Sequence, residues 1–257
     1  YKKITADNTY GNQLIISHIA TGAKEVALAD LDGDTDLDII SISGLSDTGS
    51  EDKVSWYKNL DGNGNFGPQI NIPIGTYASP DGLLVYDVDA DGDKDIVTSI
   101  TQWPDDGDKV IWFSNNGLGS FSSQLFIGNG LNKVKSISKS DIDNDGDNDI
   151  IVASSNDNKI SWYKNLNGQG SFGPQQIITT AALYVVDFSI ADLDNDGKKD
   201  IIYMSNSDDD NILWQRNIDG LGTFGIPQII NSNVHYNGAS AIYAADIDND
   251  TDIDIVV

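Results

Sequence analysis

The 257-residue chain carries a formal charge of −25, with 39% apolar residues and no cysteine. That charge argues against nucleic acid and anionic membrane surfaces as partners, because their phosphates would repel it. The lack of cysteine excludes disulfides and thiolate metal sites, and with no apolar run long enough to span a bilayer no direct membrane insertion is expected.

In chain order, the first feature is an aspartate at every second position from Asp30 to Asp38, followed at once by the apolar Ile39, Ile40 and Ile42. An aromatic stretch comes next, VSWYKNLDGNGNFGPQINI from Val54. Its glycines, as in Asp61-Gly62-Asn63-Gly64, supply the positive φ of a tight hairpin. Both features return. The acidic one recurs as DVDADGDKDIV from Asp87, DIDNDGDNDII from Asp141, DLDNDGKKDII from Asp192 and DIDNDTDIDIV from Asp246, at spacings of 57, 54, 51 and 54 residues. The aromatic one recurs from Val110, Ile160 and Ile212. Each unit therefore holds four short strand-like runs, A to D: one before the acidic loop, one after it, one carrying the tryptophan and one after the hairpin. Four short strands in a repeated unit of roughly fifty residues, without helical periodicity, predict an all-β chain, a β-propeller of four-stranded blades.

The opening YKKITADNTYGNQLII aligns without a gap on YKNLDGNGNFGPQINI from Tyr57. The single domain of residues 1–257 thus starts inside a C strand and ends, at Val257, after a B strand. With no Met or signal peptide at its start, the chain reads as a mature product or as a segment of something longer. Strands A and B from one end, paired with C and D from the other, would close a five-bladed ring. The alternative is an arc of a larger ring.

Like charges this close repel and must be compensated. Positions 1, 3, 5 and 9 are aspartate in every loop: Asp30, Asp32, Asp34 and Asp38; Asp87, Asp89, Asp91 and Asp95; Asp141, Asp143, Asp145 and Asp149; Asp192, Asp194, Asp196 and Asp200; Asp246, Asp248, Asp250 and Asp254. Position 7 is Asp36, Asp93, Asp147 and Asp252, but Lys198 in the fourth loop, so this position is expected to offer its backbone carbonyl. Alternating carboxylates of this kind suit a hard cation held by several oxygens, as in EF-hand-type calcium loops. Here position 12 is Ser41, Thr98, Val152 or Tyr203 rather than Glu, so the loop joins two strands and its ligand set closes at position 9. Zinc would recruit His or Cys, and magnesium prefers to keep its waters. Up to five Ca²⁺ ions are expected. The turn at position 6 prefers glycine. Gly92, Gly146 and Gly197 supply it, whereas Thr35 and Thr251 make the sites at Asp30 and Asp246 the weaker ones.

The acidic loops together with NFGPQ, SFGPQ and TFG resemble the FG-GAP/VCBS repeats of integrin α-subunit propellers and of many secreted bacterial proteins, over essentially the whole chain. The resemblance implies propellers, commonly seven-bladed, with calcium in the A–B loops and ligands on the opposite face. It implies Asp30, Asp32, Asp34 and Asp38, and their counterparts, as side-chain ligands. This chain departs from the pattern in having five loops and two threonines at position 6.

Trp56, Trp112, Trp162 and Trp214 share one repeat position and read as inter-blade core. Trp103 lies in a B–C loop outside that register. With Tyr77, Tyr184, His235 and Tyr236 at the D–A crossings, it lies on the rim opposite the acidic loops, which reads either as an ordinary solvated rim or as a ligand-binding one, where aromatics and carboxylates could hold a sugar. The expected function is an extracellular or cell-surface calcium-binding module for adhesion to carbohydrate or a protein partner, joined or not to other domains of a longer chain. An enzyme is not expected: no nucleophile motif is present, and His18 falls in a predicted strand. The runner-up is a polysaccharide lyase or hydrolase with a base such as His235 beside a calcium site. The third reading is a structural spacer.

Overall fold

A computed structural model describes residues 13–44, 52–75, 78–102, 107–206, 211–232 and 241–257. Among these there are eighteen strands and no helix. The first sheet holds β1 (Ala23–Ala29), β2 (Asp38–Ser43), β3 (Lys53–Tyr57) and β4 (Ile70–Ile72), and the second β5 (Ala78–Tyr86), β6 (Asp95–Gln102), β7 (Asp108–Phe113) and β8 (Leu125–Leu131). The third holds β9 (Val134–Ser140), β10 (Asp149–Ser154), β11 (Lys159–Tyr163) and β12 (Gln176–Thr179), and the fourth β13 (Val185–Ala191), β14 (Asp200–Ser205), β15 (Asn211–Gln215) and β16 (Gln228–Asn231). A two-stranded sheet of β17 (Tyr243–Ala245) and β18 (Asp254–Val256) ends the chain. Every sheet is an antiparallel meander, so the A-to-D assignment holds in each described blade.

β6, β10 and β14 send alternate residues into the apolar clusters on either side of their sheets, which explains their apolar runs. β10 and β14 are buried at every residue, whereas the outermost β16 is exposed throughout. First strands contact one another in sequence order, β1 with β5, β5 with β9, β9 with β13 and β13 with β17. Four apolar clusters fill the spaces between consecutive sheets. The first gathers Ile40, Ile42, Val54 and Trp56 against Leu83, Ile96 and Ile111. Burying one such isoleucine contributes roughly 1.5–3 kcal/mol, so these interfaces, rather than the individual sheets, hold the stack together.

The repeat supplies its own control. Leu83, Ile137, Phe188 and Ile242 stand four residues before their loops and are buried by the preceding sheet, but the equivalent Val26 is 59% exposed. At the other end Val256, equivalent to the fully buried Ile40, Val97, Ile151 and Ile202, is 48% exposed.

Residues 13–20 form no strand, which corrects the reading of His18 as a strand residue. Leu14, Ile15 and Ile16 are all exposed, so their apolar run has no sheet face to cover. The C strand expected at Tyr1 lies outside the described residues, except that its alignment continues through Gln13 to Ile16.

Candidate metal centres

Each acidic loop links the first two strands of a blade, and its ninth residue opens the second strand. The pairs Ala29↔Asp38, Tyr86↔Asp95, Ser140↔Asp149, Ala191↔Asp200 and Ala245↔Asp254 close the loops. Reversing the chain over so few residues requires left-handed backbone. Position 6 has it throughout: Gly92, Gly146 and Gly197 at φ of 99°, 97° and 83°, and Thr35 and Thr251 at 73° and 81°. A β-branched residue there is strained. Thr35→Gly and Thr251→Gly are therefore each expected to stabilise the protein by about 1 kcal/mol, read as a higher urea midpoint at unchanged slope.

Carboxylate oxygens of positions 1, 3 and 9 come within 4.8 Å of one another in four loops: Asp30, Asp32 and Asp38; Asp87, Asp89 and Asp95; Asp141, Asp143 and Asp149; Asp192, Asp194 and Asp200. In the fifth loop the gathered set is Asp246, Asp248 and Asp250, all exposed. Position 1 accepts the position-6 amide in every loop, for example Gly146 N–H to Asp141 at 3.0 Å. Position 5 accepts the position-7 amide, with Asp147 N–H donating to Asp145 at 3.0 Å. Position 9 anchors the loop. Asp149 is fully buried and accepts N–H bonds from Ile142 at 3.0 Å and Asn165 at 2.9 Å, and Asp38, Asp95 and Asp200 repeat the arrangement.

Burial pushes the Asp149 carboxyl up to about 7 and Asp95 up to about 6, and raises Asp38 and Asp200. Burial also raises Asp89, with Asp91 and Asp87 adding repulsion. In the opposite sense, Arg216 and Lys198 hold Asp196 down at about 2, Lys164 lowers Asp145, and the Asp36 amide together with Lys58 lowers Asp34.

The donor set fits a hard cation. Beyond the gathering of charge, Asp32, Asp87, Asp89, Asp143 and Asp194 each keep a buried Oδ1 with no hydrogen-bond partner. Leaving such an oxygen unsatisfied is costly, and a cation among the triad would satisfy it. The side chains at position 7 stand apart: Asp36, Asp93 and Asp147 lie against hairpin glycines Gly62, Gly117 and Gly168, and Lys198 lies against Gly220. Only their backbone carbonyls remain as ligands, in keeping with the acceptance of lysine there. Asp252 meets a different partner, accepting from Asn195 Nδ2 of the preceding loop at 3.2 Å.

Sequence reasoning missed two features of the aromatic motif. The first is an asparagine ahead of each hairpin. Asn115 Nδ2 donates to Leu31 O of the preceding loop at 2.8 Å, Asn165 to Val88 O at 3.4 Å and Asn217 to Ile142 O at 2.9 Å, while their backbone amides serve Asp95, Asp149 and Asp200 of their own loops. The second is the residue before it, Lys58, Ser114, Lys164 or Arg216, whose side chain reaches the acidic loop. Recurrence at one register position was the available signal for both.

Three of the four repeat tryptophans are inter-blade core, whereas Trp214 is half-buried and its Nε1 donates to Asp200 Oδ2 at 3.1 Å. Trp56, Trp112 and Trp162 are buried against Gly119, Gly170 and Gly222 of the following blade's hairpin. Of the expected rim, Tyr184 is 63% exposed and its N–H donates to Asn158 Oδ1 at 3.0 Å. Trp103, Tyr77, His235 and Tyr236 lie outside the described residues. At the end of the first sheet opposite its acidic loop, a groove of about 670 Å³ is lined by His18, Thr21, Asp52, Lys53, Asn71 and Ile72, among others.

The FG-GAP-like repeat model matches residues 30–98, 141–203 and 192–257. With the repeated blades and acidic loops, this places the chain in the FG-GAP-like repeat family. No curated protein matches it in sequence. Among solved structures, a triple arginine-to-alanine mutant of AofleA from Arthrobotrys oligospora shares the fold, with a TM-score of 0.53 at 11% identity, over 94% of this chain and 67% of that one. The V. cholerae biofilm matrix protein Bap1 gives 0.45 at 22% identity, over 76% of this chain and 27% of its own. Bacillus licheniformis rhamnogalacturonan lyase PL11 gives 0.47 at 16%, over 91% and 55%. The chain thus spans 27% and 55% of the lengths of these last two proteins.

Proposed function

We propose that this chain is an extracellular, calcium-stabilised β-propeller-type module that binds a carbohydrate or protein partner. The observation that supports it most is the recurrence, in five loops, of three gathered carboxylates, with buried and unpartnered oxygens in the first four. An all-oxygen set on a flexible loop suits Ca²⁺. Positions 1, 3 and 9 would hold the ion, with position 5 and the position-7 carbonyl completing the set. The bound ion would supply charge neutralisation beside buried strands. Sites of this kind bind at about 10⁻⁴–10⁻³ M in extracellular modules, which favours a calcium-rich compartment. Among the described residues no helix is long and apolar enough to cross a membrane.

The partner surface in this reading is the end opposite the acidic loops, where the groove beside His18 and the exposed Tyr184 stand. A glycan-array and surface-extract screen in millimolar calcium, repeated after chelation, tests it. Calcium-dependent capture of a defined sugar or protein is expected. Absence of binding in both conditions would leave the spacer role, and turnover of a polysaccharide panel would replace the binding reading with the enzymatic one.

A further inference from the structure

The residue before the clasping asparagine divides the loops into two kinds. Lys58 Nζ forms ion pairs with Asp32 and Asp34, the latter at 3.2 Å. Lys164 Nζ does the same with Asp143 and Asp145, the latter at 2.8 Å. Arg216 reaches Asp194 through Nε at 2.7 Å and Asp196 through Nη2 at 2.6 Å. In each case one oxygen of the position-3 carboxylate takes the cation while the other, Oδ1, is buried without a partner. Asp143 is itself only 8% exposed. In the second loop the equivalent residue is Ser114, whose hydroxyl lies 3.4 Å from Asp89 Oδ2. That loop holds five aspartates, Asp87 to Asp95. Its own lysine, Lys94, is exposed and makes no ion pair among the described residues.

We propose that Lys58, Lys164 and Arg216 are resident counter-cations that hold the first, third and fourth acidic loops in shape without metal and compete with metal for the same carboxylates, leaving the second loop, with Ser114, as the tightest calcium site. The inference rests on the calcium reading above. A divalent ion entering the first, third or fourth triad meets a positive charge already placed on two of its ligands and must displace it. At the second triad it meets only carboxylates. Affinity in such loops follows ligand charge, so an added cation within ion-pair distance lowers it and a removed one raises it. The fourth loop is the extreme: Lys198 Nζ also lies 2.9 Å from Asp196 Oδ2, giving that carboxylate two cations. It ranks weakest of the first four.

The same substitution therefore moves two quantities in opposite directions. Lys164→Ser is expected to raise calcium affinity at its site about tenfold or more and to lower the melting temperature in chelator, where Asp143 and Asp145 lose their counter-charge. Ser114→Lys is expected to do the reverse at the second site. Lys164→Arg keeps the charge and is expected to leave both readouts near wild type.

Calorimetric titration of the full chain with calcium chloride, paired with thermal melting in chelator, tests this. The wild type should show one tight binding event ahead of weaker ones. Ser114→Lys should abolish the tight event, and Lys164→Ser should add a second. Equal affinities at all sites with no response to Ser114→Lys would overturn the counter-cation proposal and leave calcium binding intact. Absence of any calcium heat would overturn the calcium reading and the competition with it. Should Lys164→Ser fail to fold, Ser114→Lys decides alone, since it adds a charge to a loop that folds without one.

Discussion

Removing calcium from the purified chain is expected to lower its melting temperature by roughly 15 °C or more. At a free concentration ten times the dissociation constant, each occupied site stabilises the folded state by about 1.4 kcal/mol. Five such sites would contribute about 7 kcal/mol, and in a chain of this size each kcal/mol moves the midpoint by about 2–4 °C. An unchanged midpoint after complete chelation would remove the calcium reading. The pH dependence in chelator carries a further sign. Asp149 and Asp95, pushed by burial up to about 7 and about 6, take protons in the folded state at a pH where an unfolded aspartate, near 3.9, does not. Between those values the folded chain binds more protons than the unfolded one, so stability should rise as pH falls from above 7 towards 5. Below about 4 the trend turns, because Asp196, held at about 2 by Arg216 and Lys198, begins to lose its ion pairs. With calcium bound the carboxylates stay charged and protons compete with the ion, so stability should fall as pH drops through the same window. Melting curves at pH 5 and 7.5, with and without calcium, separate the two regimes.

Gly170→Ala is expected to destabilise by about 3–4 kcal/mol, whereas Gly64→Ala, at the same register position, should cost about 1 kcal/mol. Both glycines have positive φ, 74° and 89°, so both substitutions carry the same left-handed penalty. They differ in what the new methyl group meets. At Gly64 nothing lies within 4 Å, but at Gly170 the methyl would overlap the ring of Trp112 from the preceding blade. That ring is buried and has little room to retreat. The difference between the two variants isolates the packing part from the backbone part. Combining Gly170→Ala with Trp112→Leu should recover some of the loss, as expected for side chains in contact. Equal destabilisation at Gly64 and Gly170 in urea melts would show that the tryptophan does not depend on the hairpin glycine.

The features that were legible in the sequence are those with a period. The acidic loops, the tryptophans and the four runs per unit recur at fixed offsets, and the strands begin and end where those offsets put them, with Asp38, Asp95, Asp149, Asp200 and Asp254 as both loop residue and first strand residue. Thr35 and Thr251 adopt the same positive φ as the position-6 glycines of the other loops. The asparagine clasp and the counter-cations also recur, but their meaning depends on the loop they touch: the clasp reaches the preceding blade's loop across 75 to 84 residues of sequence, and the counter-cations reach their own blade's loop across 20 to 26. Position 4 of the loops shows the same gap. Gly33, Ala90, Asn144, Asn195 and Asn249 all have positive φ, a common requirement that the mixture of residues disguised. The rim opposite the loops has no period, so residue type alone marks its aromatics, and of these the structure describes Tyr184 alone.

The asparagine clasp gives the stack a direction in time. Each bond from Nδ2 runs backwards, from Asn115, Asn165 and Asn217 to the loop of the blade made before. A chain emerging N-terminus first would therefore present every acidic loop incomplete, its position-2 carbonyl awaiting a donor until the next hairpin arrives. Completion travels down the chain one blade behind synthesis. The clasps reach the first three loops, and neither the fourth loop, from Asp192 to Asp200, nor the fifth, from Asp246 to Asp254, receives such a donor from the residues described.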